Sequence, residues 1–246
     1  MGELIAVASG KGGTGKTSVT AGIASALASA GKRVLCIDCD VGLRNLDISL
    51  GLSHTCPLTF LDVCSGAYPL SQATTHPDFP TLHFLTAPMH CPPESIDSVR
   101  FGAFLTDARR HYDYILLDAP AGVDAGFKLA AAHCDRCILV TGPGPAALRD
   151  ATRTAEVLEL MGKTNVRLVV NRIQRKLFRA MDMTVDDMMD TAGLPLLGIV
   201  PEDRNVTLAA TFNYALLRYK PNTPAAKACK RIEKRITGFP EPISIR

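Results

Sequence analysis

The chain has 246 residues, 47% of them hydrophobic and 21% charged, enough for one large domain or two small ones with a sizeable core. That balance excludes disorder, collagen and coiled coil, and no apolar run approaches the ~18–20 residues needed to span a bilayer. A net charge of +3 is too small to mark a nucleic-acid binder, although residues 215–246 hold eight basic side chains against Glu233 and Glu241.

Met1-Gly2-Glu3-Leu4 runs straight into an apolar strand, Leu4–Ser9, without a charged n-region or cleavage site, so the expectation is a cytoplasmic chain with no secretory signal. Its eight cysteines then read as free thiols. The strand runs into Gly10-Lys11-Gly12-Gly13-Thr14-Gly15-Lys16-Thr17-Ser18. These letters satisfy the dinucleotide pattern G-x-G-x-x-G and the more restrictive G-x-x-x-x-G-K-[ST]. Only a triphosphate site has use for Lys16 and Thr17: loop N–H groups cradle phosphates, Lys16 neutralises the outer ones and Thr17 Oγ binds Mg²⁺. A helix Thr17–Ala30, closed by Gly31, follows.

Next come a strand Arg33–Asp38, ending in Asp38-Cys39-Asp40, a strand Leu82–Thr86 and a helix Glu94–His111. The strand Tyr114–Asp118 supplies the second part of a P-loop site, an apolar run ending in a carboxylate for the magnesium shell. Strand Cys137–Thr141, helix Pro145–Met161, strand Val166–Asn171, helix Val185–Ala192 with Thr184 as N-cap, and strand Leu196–Val200 continue the alternation. Helices Asn205–Leu217 and Pro224–Thr237 finish it. Short continuous apolar strands between helices predict a single-domain P-loop NTPase of the α/β class, with a mainly parallel sheet of about seven or eight strands and helices on both faces. The ATPase domain is expected over residues 1–238, with a Pro-containing tail over 239–246.

Asn171-Arg172-Ile173-Gln174 lacks the fourth-position carboxylate that reads guanine, which favours adenine; Asn171 either meets the adenine edge or merely ends its strand. Two Cys-x-x-Cys pairs, Cys36/Cys39 and Cys134/Cys137, could on paper hold a metal. In a parallel sheet Cys39 follows a strand's end whereas Cys134 precedes a strand's start, so the pairs belong at opposite edges and read as ordinary thiols.

Lys11 within Lys-Gly-Gly-Thr-Gly-Lys-Thr resembles the deviant Walker A loop of the MinD/ParA ATPase family. Asp38-Cys39-Asp40-Val41-Gly42-Leu43-Arg44-Asn45-Leu46-Asp47 resembles the first switch of its MinD branch, and Asp118-Ala119-Pro120-Ala121-Gly122 the second. Arg149-Asp150-Ala151 resembles a later helix start, and Pro201-Glu202-Asp203 the adenine-side loop. The resemblance implies an ATP-hydrolysing switch in division-site placement, in which two subunits sandwich two ATP molecules. It implies that Lys11 crosses to the partner's phosphates, that Gly12 permits close approach, and that Asp40 orients the attacking water. Thr17, Asp38 and Asp118 would surround Mg²⁺, and Asn171, Pro201, Glu202 and Asp203 the base. From the residues alone, Asp38 and Asp40 read equally well as loop carboxylates after a strand. Implied partners are an activator similar to MinE, over the helix beginning at Arg149, and a septation inhibitor similar to MinC.

The chain departs from the pattern at Thr141-Gly142-Pro143-Gly144, at Cys39, and beyond Gly238, where Pro240 and Pro242 forbid the family's amphipathic membrane helix. The helix before it has an apolar stripe of Ala225, Cys229, Ile232 and Ile236, better suited to docking on the domain than to lipid. Peripheral binding at the inner face of the cell membrane therefore stands as the alternative to a purely cytoplasmic life. Competing functions are a ParA-like DNA-partition ATPase, encouraged only by the basic tail, a metal- or cluster-delivery ATPase, encouraged by the Cys-x-x-Cys pairs, and a flagellar-number relative.

Overall fold

The computed structural model describes residues 1–174, 176, 180 and 184–243. Eight strands form one sheet: β1 (Glu3–Ala8), β2 (Val34–Asp38), β3 (Thr74–Thr75), β4 (Leu82–Leu85), β5 (Tyr114–Asp118), β6 (Arg136–Thr141), β7 (Val166–Ile173) and β8 (Leu196–Pro201). Their order is β3-β4-β2-β5-β1-β6-β7-β8, all parallel except the edge strand β3. Strand alternation splits the core between two faces. Ile5 and Val7 pack beneath α1 (Lys16–Ser29) and the last helix, while Leu4, Ala6 and Ala8 face the opposite layer, which holds α4 (Ser98–Ala108), α5 (Ala125–Ala132) and α6 (Pro145–Leu160). The expected α/β architecture is the observed one.

Several elements differ from expectation. The helix foreseen over Glu94–His111 begins as a single 3₁₀ turn, Pro93–Ser95, and restarts at Ser98 because the Asp97 carboxylate accepts from the Val99 and Arg100 amides (2.9 and 3.1 Å). The helix foreseen over Asn205–Leu217 is two pieces. α8 (Arg204–Thr211) stops where Asn213 takes a left-handed φ of 56°, tolerated by Asn, and α9 (Leu216–Tyr219) follows. α2 (Leu46–Leu50), α3 (Phe60–Cys64) and α5 are too short to show a helical period; α7 (Val185–Ala192) carries the full Thr184/Asp187 capping box.

Cys36 packs on one face of the sheet and Cys39 on the other, and Cys134/Cys137 lie at the strands' opposite edge, so the four thiols share no site. Among the described residues no cluster of His, Cys, Asp and Glu could hold a metal by itself, and no helix is long and apolar enough to cross a membrane.

The last helix, α10 (Pro224–Ile236), buries Ala225, Cys229, Ile232 and Ile236, the stripe expected to dock. Two glycines make room for it. A Cβ on Gly22 of α1 would lie 2.4 Å from Cys229 Sγ, and one on Gly198 of β8 would lie 2.4 Å from Ile232 Cγ1. Beyond it the chain folds back: Arg235 donates from Nη1 to the Leu197 carbonyl (2.7 Å), from Nε to that of Glu241 (2.9 Å) and from Nη2 to that of Pro242 (2.7 Å). Tail residues 244–246 lie outside the described residues.

His76, buried immediately after β3, holds α2 to the sheet edge. Its Nε2 donates to the Leu50 carbonyl (2.8 Å) and its Nδ1 accepts from the Asp78 amide (3.1 Å). The bond to Nδ1 requires the neutral ring, since protonation leaves Nε2 a donor but takes away the lone pair that accepts from Asp78, and burial lowers the ring's pKa below the ordinary 6.5. The unfolded chain therefore binds more protons near and below that value, and the contribution is complete above ~6.5 and lost as pH falls through the folded pKa. The thermal midpoint should fall more steeply between about pH 7.5 and about pH 5.5 in the native chain than in His76→Gln. Parallel slopes would remove His76 from the account.

Candidate functional site

The loop after β1 is built by glycine conformations. Gly13 and Gly15 both sit at φ 81°, the left-handed region that a side chain disfavours. At Gly10 a Cβ would meet the Asp150 carbonyl of α6 at 2.4 Å, so only glycine lets the loop lie against that helix. Gly15 is the N-cap of α1, and no side chain caps this end, which leaves the first amides of α1 for an external acceptor. Thr14 Oγ1 is buried without a hydrogen-bond partner. An orphaned hydroxyl beside an uncapped helix N-terminus is what a phosphate would complete.

Beneath the loop, parallel register sets Asp38 of β2 directly beside Asp118 of β5. Both are buried. Lys16 Nζ lies 2.8 Å from Asp118 Oδ1, and Thr17 Oγ1 donates to Asp118 Oδ2 at 2.8 Å. Burial, with Asp118 adding to it, pushes the Asp38 carboxyl up to about 7, opposed by amide donors at Asp40 (2.9 Å) and Leu46 (3.1 Å). Two carboxylates facing one ammonium leave the cluster short of positive charge. Oxygen donors from Thr17, Asp38 and Asp118 fit a small hard cation such as Mg²⁺. Asp40 is half-buried; desolvation raises its carboxyl above the usual range, with the Lys16 charge opposing. Lys11, Gly12 and Gly13 are exposed, and Lys11 makes no ion pair among the described residues.

On the other side of the loop, Gly15, Ser18, Asn171, Pro201, Glu202 and Asp203 line one cavity of about 190 Å³, floored by Val19, Val206 and Leu216. The structure thus brings the expected base-side residues together, with Asn171, Glu202 and Asp203 already committed to neighbours. Asn171 Nδ2 donates to the Thr14 carbonyl (2.8 Å), while Asp203 accepts from the amides of Asn205 (2.9 Å) and Ala225 (3.2 Å). Glu202 pairs with Arg172 at 2.8 Å.

Three contributors escape sequence reading. Thr20, one turn beyond Lys16, places Oγ1 2.7 Å from Asp118 Oδ1 and 3.0 Å from the Lys16 carbonyl. Its spacing from Thr17 was a usable signal. Arg172 bridges the Gly13 carbonyl (3.3 Å) and Glu202, joining the loop to the base-side wall. It does so from a φ of 61° at an irregularity in the β7–β8 pairing, which no letter pattern announces. Arg44, at φ 45°, fixes the loop after β2 by donating to Thr86 Oγ1 (2.9 Å).

Residues 5–214 match the family described as the CobQ/CobB/MinD/ParA nucleotide binding domain. The chain is 39% identical over 243 residues to a putative septum site-determining protein MinD of Nephroselmis olivacea, covering 98% of this chain and 89% of that protein. It is 33% identical to the septum site-determining protein MinD of Thermotoga maritima, covering 99% and 91%. Among solved structures, the MinC:MinD cell division protein complex of Aquifex aeolicus is similar at a TM-score of 0.90 and 33% identity, with 98% of each chain covered. The septum site-determining protein MinD of Pyrococcus horikoshii, complexed with Mg-ADP, is similar at 0.84 and 29% identity, with 97% of each chain covered.

Proposed function

This chain belongs to the CobQ/CobB/MinD/ParA nucleotide-binding family, among its septum site-determining members, and from that premise we propose that it is a Mg²⁺-dependent ATPase whose ATP-bound form dimerises to place the division site. The observation that carries the reading is the buried Lys16–Asp118–Thr17 cluster beneath an uncapped helix N-terminus. Loop amides and the α1 terminus bind the phosphates, and Lys16 leaves Asp118 for the outer ones. Thr17, Asp38 and Asp118 would hold Mg²⁺, which when bound would supply charge neutralisation to the phosphates. Asp40, beside the Lys16 charge, orients the attacking water. Exposed Lys11 reaches the phosphates of a second subunit, placing a cation where charge develops, as an arginine finger does. Ser18, Asn171, Pro201, Glu202 and Asp203 enclose adenine, and Gly13, Thr14 and Gly15 belong to the loop that cradles the phosphates.

An inhibitor similar to MinC is the partner that the Aquifex aeolicus complex favours, and an activator similar to MinE is its counterpart. With the α10 stripe occupied by the domain, membrane affinity rests on reversible basic attraction, and the protein works in the cytoplasm with at most peripheral contact.

Sedimentation of Asp40→Ala, which slows hydrolysis and holds the bound state, decides the matter. ATP with Mg²⁺ should give a dimer, while ADP and GTP leave a monomer. One mass in all three nucleotides would sink the dimerisation reading, and a dimer with GTP would show the base pocket misread.

A further inference from the structure

The Cys134/Cys137 pair is absorbed by nothing in the nucleotide site. It lies at the strands' opposite edge, where Asp135 between the two cysteines accepts from the Leu4 amide at the start of β1. Measured along β1 at ~3.3 Å per residue, Asp135 at the level of Leu4 is roughly 20 Å from Gly10 of the phosphate loop, and Cys137, paired with Ala6, roughly 13 Å.

The two sulfurs are 3.2 Å apart, with Cys134 Sγ also 3.2 Å from the Ala131 carbonyl. Cys134 sits in the turn between α5 and β6, and Cys137 is fixed in β6 by its amide bond to the Asn165 carbonyl (2.9 Å). One partner thus sits on a turn and the other on a sheet. A disulfide needs sulfurs ~2.05 Å apart, so closure asks for a shift of about 1 Å, which a turn absorbs. Lys163 brings its ammonium to the same turn, donating to the carbonyls of Ala132 (2.7 Å) and Cys134 (3.1 Å). Hydrogen bonding from Cys137 lowers the Cys134 thiol's pKa, and the same bond together with burial raises that of Cys137. Cys36 and Cys39 offer a contrast within the chain: they pack on opposite faces of the sheet and cannot meet.

We propose that Cys134 and Cys137 form a redox-active dithiol that a hydroperoxide closes to a disulfide, with Cys134 as the attacking thiolate and Cys137 as the resolving thiol. The Cys134 thiolate attacks the terminal peroxide oxygen, breaking the O–O bond. This leaves Cys134 as a sulfenic acid and releases the alcohol, or water from hydrogen peroxide. Cys137 Sγ then attacks the sulfenic sulfur, forming S–S and expelling water. Two thiols lose two electrons and two protons, and one hydroperoxide is reduced to alcohol and water. Both cysteines are buried, Cys134 6% exposed and Cys137 1%, so Cys134 lies the nearer of the two to solvent and Cys137 is the more shielded. The proposal stands whether or not the nucleotide reading does.

Trypsin makes the test direct, because Arg136 lies between the two cysteines and cleavage there puts them on separate peptides, residues 129–136 and 137–149. The full chain is treated with hydrogen peroxide, alkylated under denaturing conditions and digested. The expected result is those two peptides linked, with the mass of two hydrogens lost and restored by dithiothreitol, while buried Cys36 and Cys229 remain alkylated. Cys137→Ser, with Cys137→Ala as a second variant should the first not fold, is expected to leave Cys134 as a sulfenic acid trapped by dimedone. Recovery of both as free thiols at a dose that oxidises exposed Cys56 would overturn the proposal, as would their separate conversion to sulfinic acids.

Discussion

Lys11→Ala is expected to abolish the ATP-dependent dimer and lower steady-state ATP hydrolysis by at least ~100-fold, while changing the affinity of the monomer for nucleotide less than about threefold; cations supplied across an interface are worth ~10³–10⁵ in rate. The separation of effects follows from placement. Lys11 is exposed and takes no part in the buried Lys16–Asp118–Thr17 cluster, so removing it leaves the monomer's own phosphate cradle whole. Lys16→Ala should do the opposite and remove binding first, since it takes away the ammonium 2.8 Å from Asp118 and leaves that carboxylate beside Asp38 with no counter-charge. Calorimetry gives affinity, sedimentation gives mass and phosphate release gives rate. A Lys11→Ala protein that hydrolyses ATP at the native rate would show that its loop is complete within one subunit.

The second large effect is structural. Ile232→Ala should destabilise the chain by about 2–5 kcal/mol, the range for truncating a fully buried aliphatic side chain in a packed site. Ile232 is fully buried, and its side chain fills the space that the missing Cβ of Gly198 leaves over β8. At roughly 2–4 °C per kcal/mol for a chain of this size, the midpoint should drop by about 5–15 °C. Lys227→Ala, on the exposed face of α10, should stay within about 0.5 kcal/mol of the native protein. Urea unfolding measures both. If Ile232→Ala left stability unchanged but weakened pelleting with anionic vesicles, α10 would be a lipid-facing helix and its docked position incidental.

What was legible in the sequence followed from periodicity and from chemistry concentrated in a few letters. The seven long strands announced themselves because burial on both faces needs continuous apolar runs. The loop from Gly10 to Thr17 and the strand ending in Asp118 were legible for the same kind of reason: few sequences place a lysine and a hydroxyl at a helix start behind that many glycines. Short elements were not legible. α2 and α3 have five residues each, little more than one turn, and α2 is held by the Asp38 and His76 contacts rather than by its own pattern. The break in the helix over Asn205–Leu217 turned on one left-handed asparagine. Arg172 was hidden for a different reason: adjacent residues of a strand point to opposite faces, so Asn171 and Arg172 reach the same site only because the strand pairing is irregular there.

The threefold grip of Arg235 on the carbonyls of Leu197, Glu241 and Pro242 has a practical consequence for watching the protein in cells. Leu197 lies near the start of β8, so Glu241 and Pro242 are held at the edge of the sheet opposite the phosphate loop and the switch residues. A fluorescent label attached at Ile243 would start from that edge, away from the face where Lys11 is exposed. A reporter inserted after Leu43, in the exposed loop between β2 and α2, would sit on that face and be expected to jam it.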